Sequence, residues 1–136
     1  MLPKTPLLLI SNRDEFYARP TLPLHACDGI IAGRDKQAGG TWMGVNLSGR
    51  WAVLTNFRDG QDKKLYATSP ITLVQNYHDS QMTPLPFLTC LKPSQTDYAG
   101  FNLIVGDRTQ AAYMSNKGVA PTLLAWRVYL IKWSYQ

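Results

Sequence analysis

The polar cluster Asn12-Arg13-Asp14-Glu15 sets an amide, a guanidinium and two carboxylates directly after the apolar run Leu7-Leu8-Leu9-Ile10. These groups can donate hydrogen bonds, hold an anion and move a proton. Function is often carried by such residues where a rigid element delivers them into a loop. The competing use is a charged loop in which Arg13 or Arg19 pairs with Asp14 or Glu15. Gly33-Arg34-Asp35 and Thr55-Asn56-Phe57-Arg58 repeat the pattern of an apolar strand with Asn or Arg at its exit. If the three exits converge on one pocket, Asn56 offers an amide donor to a developing oxyanion and the arginines hold an anionic group.

Other chemistries find little support. His25 and Cys27 are two residues apart, and His78 and Cys90 stand alone, so no second pair at metal-ligand spacing exists and no metal is expected. There is no Cys-x-x-Cys-His, no phosphate loop ending in Lys and Ser or Thr, and no Gly-x-Ser-x-Gly. No cofactor is expected, and both histidines read as structural. The net charge of +5 comes from scattered residues, with Lys63-Lys64 the sole adjacent basic pair. That pattern is a solvated surface rather than a nucleic-acid face. Two cysteines are too few for a disulfide framework and are expected as reduced thiols. Leu7 to Ile10 is too short for a signal or a span, and Leu123 to Tyr135 is broken by Arg127 and Lys132. The expectation is a cytoplasmic protein with no membrane span.

At 45% hydrophobic and 17% charged residues, 136 residues suffice for one packed domain. Leu7 to Ser11 reads as a doubly buried strand, followed by a loop through Arg19-Pro20 and Pro23. Ile30-Ile31-Ala32 reads as a strand ended by Gly33-Arg34-Asp35. Trp42–Asn46 and Trp51–Phe57, joined by Leu47-Ser48-Gly49-Arg50, predict a β-hairpin. Ser69-Pro70 opens a helix carrying Ile71, Val74, Tyr77 and His78, and Thr83-Pro84 opens a second one carrying Phe87, Leu88 and Leu91. Phe101–Val105 and Ala111–Ser115 pair across an Asp107–Gln110 turn, and Asn116-Lys117-Gly118 turns again. Strands, two helices and more strands predict an α+β fold with mostly antiparallel sheet.

Five segments in order, Ser11–Pro20, Ala32–Asp35, Gly39–Val45, Leu54–Arg58 and Gly100–Asp107, make the chain resemble the NRDE family. This family is also called the transport and Golgi organisation 2 family, and the form here is similar to its bacterial branch. The match covers Leu7 to Pro121. The resemblance implies the fold of N-terminal nucleophile hydrolases, a four-layer αββα sandwich. In that superfamily a first-position Cys, Ser or Thr provides nucleophile and amine base for amide-bond hydrolysis. By the same resemblance Arg13 and Asp14 flank the nucleophile and Asn56 is the oxyanion donor. Asn12, Trp42, Arg34 and Arg58 are the expected substrate-binding residues. Eukaryotic relatives are associated with secretory-pathway organisation, lipid metabolism and haem trafficking, so the ligand class is a small-molecule substrate or, alternatively, haem or a lipid.

The chain departs from the family pattern at both ends. It opens Met1-Leu2-Pro3, without the Cys that family members carry after Met, and Thr5 or Ser11 would need a processing cut to serve. Cys27 and Cys90 match no family nucleophile position. The family's serine-arginine-glycine element appears here as Ser69-Pro70-Ile71. Residues 1–121 are expected to form a partial domain and 122–136 a divergent or out-of-frame tail. On this reading the fold is incomplete, hydrolysis is absent, and exposed apolar surface invites self-association.

Overall fold

A computed structural model describes residues 7–13, 15–57, 66 and 68–125. Seven strands form one antiparallel sheet in chain order: β1 (Thr21–Cys27), β2 (Ile30–Asp35), β3 (Met43–Val45), β4 (Trp51–Asn56), β5 (Phe101–Gly106), β6 (Ala111–Ser115) and β7 (Val119–Leu123). Helices α1 (Thr72–Ser80) and α2 (Pro84–Leu91), followed by a 3-10 turn at Lys92–Asp97, lie between β4 and β5 in the chain. The described residues thus form an α layer on a β layer.

Alternation along the strands decides which side chains meet the helices. Leu54 pairs with Leu103 and Leu103 with Met114, while Ala52 pairs with Val105 and Val105 with Ala112. These residues form the sheet side of the core, against Leu73, Val74 and Tyr77 of α1 and Phe87, Leu88 and Leu91 of α2. Tyr77 stands edge-on to Phe87, with ring centroids 5.1 Å apart. Its hydroxyl donates to the Gly106 carbonyl at 3.0 Å, which ties α1 to β5. Burial pushes that phenol up to about 12, so it remains a donor through the physiological range. On the opposite side of the sheet, Met43, Val53, Ile104 and Tyr113 form a cross-strand row. Among the described residues no helix is long and apolar enough to cross a membrane.

The hairpin appears where the apolar runs predict it. Its turn is held by the Asn46 side chain, which accepts from the Arg50 amide at 2.9 Å and the Ser48 hydroxyl at 2.7 Å. The later strand pairs and the buried stripes of both helices also follow the sequence reading. Four expectations are corrected.

Leu7–Ser11 is not a strand: Leu8 and Ile10 are 65% and 86% exposed, and no neighbouring strand among the described residues pairs with them. A short apolar run specifies a strand only where another strand accepts its ladder. The expected loop through Pro23 is instead strand β1, an edge strand whose pairing with β2 shifts register between Leu22 and His25. Proline is tolerated at such an irregular edge because no ladder bond needs its missing N–H. Asp28 and Gly29, at φ 52° and 76°, form the tight turn joining β1 to β2. An Asp-Gly pair favours that left-handed geometry. Strand β2 consequently runs on through Arg34 to Asp35, so Arg34 lies inside a strand rather than at its exit.

A smaller correction concerns α1, which begins at Thr72 with Ile71 at the N-cap. Ser69 therefore does not cap it with its side chain. Its carbonyl accepts from the Thr72 amide and hydroxyl instead, at 3.4 and 2.9 Å.

Candidate functional site

The chain enters β3 through Gly40-Thr41-Trp42. Gly40 passes so close to α1's leading turn that a Cβ there would sit 2.6 Å from the Ile71 carbonyl oxygen, and only glycine fits. The buried Thr41 amide donates to that same carbonyl at 3.2 Å. With the backbone fixed on both sides, Trp42 is set beside β4, where its carbonyl accepts from the Leu54 amide at 2.7 Å. This arrangement forms one wall of a cavity of about 180 Å³. Ser11, Asn12 and Arg13 form another, and Leu54, Thr55 and Asn56 a third.

Two arginines reach the Trp42 ring and are held differently. The Arg13 guanidinium lies 4.5 Å from the ring centroid and donates one hydrogen bond, to the Arg19 carbonyl at 3.2 Å. The Arg19 guanidinium lies 5.8 Å from the centroid and is clamped between Asp35 at 2.5 Å and Glu15 at 3.3 Å. Asp35 is 1% exposed and also accepts from the Gln37 and Ala38 amides, at 3.0 and 2.6 Å. Burial alone would raise the Asp35 pKa. The Arg19 hydrogen bond and the two amides outweigh that and hold the carboxyl below its usual range. Asp35 thereby pins the Arg13-bearing loop onto the turn after β2.

Of the residues expected at a site, Asn12, Arg13, Trp42 and Asn56 line this one cavity. Arg34 is placed elsewhere, at the β1–β2 turn, where it donates to the Cys27 carbonyl at 3.1 Å and to Asp28 at 3.2 Å. Asp14 and Arg58 lie outside the described residues. The side-chain amides of Asn12 and Asn56 make no hydrogen bond to another described residue. Trp42 Nε1 is buried with no acceptor among the described residues.

Sequence reasoning missed Asp35 as the anchor of the loop. The i, i+4 spacing of Glu15 and Arg19 signals their pair, but no local signal links Arg19 to a carboxylate sixteen residues on. It also missed Ser11, Met43, Leu54 and Thr55 as lining residues. The thiols lie apart from the cavity: Cys27 donates to Asp28 at 3.4 Å, and Cys90 is exposed on α2. Among the described residues no group of three or more His, Cys, Asp or Glu side chains is arranged to hold a metal.

Comparison with known proteins agrees with the segments that build this cavity. The family model described as "Transport and Golgi organisation 2" matches residues 2–131. A mouse protein named "Transport and Golgi organization 2 homolog" is 32% identical over 123 residues, covering 82% of this chain and 44% of its own length. A bovine protein named "Transport and Golgi organization protein 2 homolog" is 32% identical over 135 residues, covering 90% and 49%. An uncharacterised protein of Saccharomyces cerevisiae is 42% identical over 65 residues, 41% of this chain and 21% of its own. The chain spans about half the length of the mammalian relatives it matches. With most of its residues covered and the cavity-forming loops inside the match, the chain belongs to the Transport and Golgi organisation 2 family.

Proposed function

We propose that this chain supplies the ligand-binding wall of a site resembling those of N-terminal nucleophile hydrolases, and that the site receives a small molecule bearing an amide carbonyl. In this reading the seven-stranded sheet and its two helices are two layers of a four-layer αββα sandwich. The carbonyl oxygen faces Asn56, whose amide stabilises the oxyanion that develops on attack. Arg13 orients the reacting groups, together with Asp14 as the resemblance implies. Trp42 provides a flat apolar platform.

The observation that carries the reading is convergence. Asn12 and Arg13, Trp42, and Asn56 come from three separate segments and line one cavity, with the two asparagine amides unengaged among the described residues. Unpaired donors grouped around a cavity are what a bound carbonyl requires. Benzamide is a suitable probe, followed by 15N NMR of the purified chain. Saturable shifts are expected at the Trp42 indole N–H, identified by its loss in Trp42→Phe, and at the Asn56 side-chain amide. Asn56→Ala should weaken binding about tenfold, the loss of one oriented hydrogen bond. No shift at either group would falsify the reading.

A second reading, a carrier of haem or an acyl lipid, is favoured by the exposed apolar side chains that flank the cavity loop in sequence. These are Leu8, Ile10, Phe16 and Tyr17. Under it, haem added to the chain should give a shifted Soret band. If ring ligation holds the iron, His25→Ala, at the exposed edge strand, should abolish that shift.

A further inference from the structure

We infer that the ligand of this cavity carries a carboxylate, and that Arg13 is the residue that holds it. The inference rests on reading the cavity as the ligand site and specifies what kind of molecule enters it.

The first argument is charge. Arg19 is matched by Glu15 and Asp35, and Arg34 by Asp28. Arg13 has no carboxylate within salt-bridge distance among the described residues. It uses one N–H on the Arg19 carbonyl and keeps the remaining donors of its five. The Trp42 ring supports the guanidinium face at 4.5 Å, which leaves the donor edge to meet a planar acceptor. A guanidinium edge and a carboxylate match in a two-bond fork.

The second argument is the polarity of the lining. Among the described residues that line the cavity there is no Asp or Glu. Its polar side chains can donate from the amide groups of Asn12 and Asn56 and the hydroxyl of Thr55, each of which also has an oxygen that can accept. The Trp42 indole nitrogen is buried with no acceptor among the described residues. Met43 and Leu54 complete the lining with apolar surface. A compact organic acid, with a planar anionic end and an apolar body, fits that combination better than a spherical, strongly hydrated oxyanion.

The test compares benzoate, benzamide and inorganic phosphate on the intact chain, read at the Trp42 indole N–H. Benzoate should bind about tenfold more tightly than benzamide, since a charged pair adds roughly that much over a neutral hydrogen bond. Arg13→Gln should remove the preference, bringing the affinities for benzoate and benzamide together. Arg108→Gln, which removes a positive charge from an exposed turn, should leave both unchanged. Equal affinity for benzoate and benzamide, or an Arg13→Gln variant that retains the preference, would overturn the carboxylate assignment and leave the amide site standing. Displacement of benzoate by phosphate at equal concentration would overturn it in favour of a general oxyanion site. If neither organic probe shifts the indole, both this inference and the underlying site reading fall.

Discussion

Arg50 and Arg13 both lay a guanidinium on an aromatic ring, at 4.0 Å from the Tyr77 centroid and 4.5 Å from that of Trp42. Their surroundings give them opposite roles. Arg50 is 8% exposed and reaches from the hairpin turn to the far end of α1. There it donates to the Tyr77 carbonyl at 2.6 Å and to the Met82 carbonyl at 2.7 Å. Those carbonyls lie at a helix end, where partners within the helix run out and the macrodipole favours a cation. Arg13 is exposed, with a single backbone bond and a cavity in front of it. A buried cation bonded on two sides locks helix to hairpin, and an exposed cation with spare donors is available to a ligand.

The contrast is broken most strongly at its buried member. Arg50→Met should cost about 3 kcal/mol, because the Met82 carbonyl loses its charged donor and the hairpin loses its tie to the helix. Urea unfolding of the two proteins measures it. A loss below about 1 kcal/mol would mean that water replaces the guanidinium there.

Asp35→Asn comes next, at about 2 kcal/mol. The amide oxygen can still serve the Gln37 and Ala38 amides, but Arg19 loses its buried counter-charge. Since Arg19 supports Arg13 through its carbonyl, the same variant should also weaken benzoate binding. Unchanged binding alongside lowered stability would separate the anchor from the site.

His78 gives a smaller effect that depends on pH. It is 4% exposed, with Nε2 donating to the Gly44 carbonyl at 3.3 Å and Nδ1 buried with no partner among the described residues. Burial lowers its pKa and outweighs the raising effect of the Gly44 bond, with a further lowering from the positive charge of Arg50 and a smaller raising effect from Asp79. The unfolded chain therefore takes up a proton near pH 6.5 while the folded chain does not. That contribution is complete above pH 6.5 and is lost as pH falls toward the depressed folded value. The carboxyls of Asp35 and Asp107, held low in the folded state, lose theirs only below about pH 4. Stability should decline as pH falls below about 6.5, and His78→Gln should flatten that decline. An unchanged slope in the variant would assign the pH dependence to another group.

The smallest stability effect belongs to Arg13→Gln. Its single exposed bond predicts a change within about 0.5 kcal/mol, while benzoate binding falls. Thermal melts with and without benzoate would show both, and a large loss of stability would make Arg13 a structural residue like Arg50.

How much of this was legible in the chain depends on whether the interactions are local. The β3–β4 hairpin and its Asn46-Gly49 turn, the buried stripes of both helices and the β5–β6 pair follow from periodicity and turn residues. Each is specified within about a dozen residues. Strand β1 carried a readable Asp28-Gly29 signal, but Pro23 argued against it because an edge position is not visible in one dimension. Leu7–Ile10 has the composition of a buried strand, yet burial needs a neighbour that composition does not provide.

The sequence by itself determined the family, through its ordered segments, and the α+β class, through the order of its periodic runs. It also determined which residue types were available for a site. Tertiary structure decided which of them meet. Arg13, Arg19, Arg34 and Arg50 are the same side chain in sequence. Asp35 and Glu15 take Arg19, Asp28 takes Arg34, the end of α1 takes Arg50, and Arg13, with no carboxylate partner among the described residues, lines the cavity. A guanidinium's role is set by the acceptors that surround it, and here most of those acceptors come from distant parts of the chain.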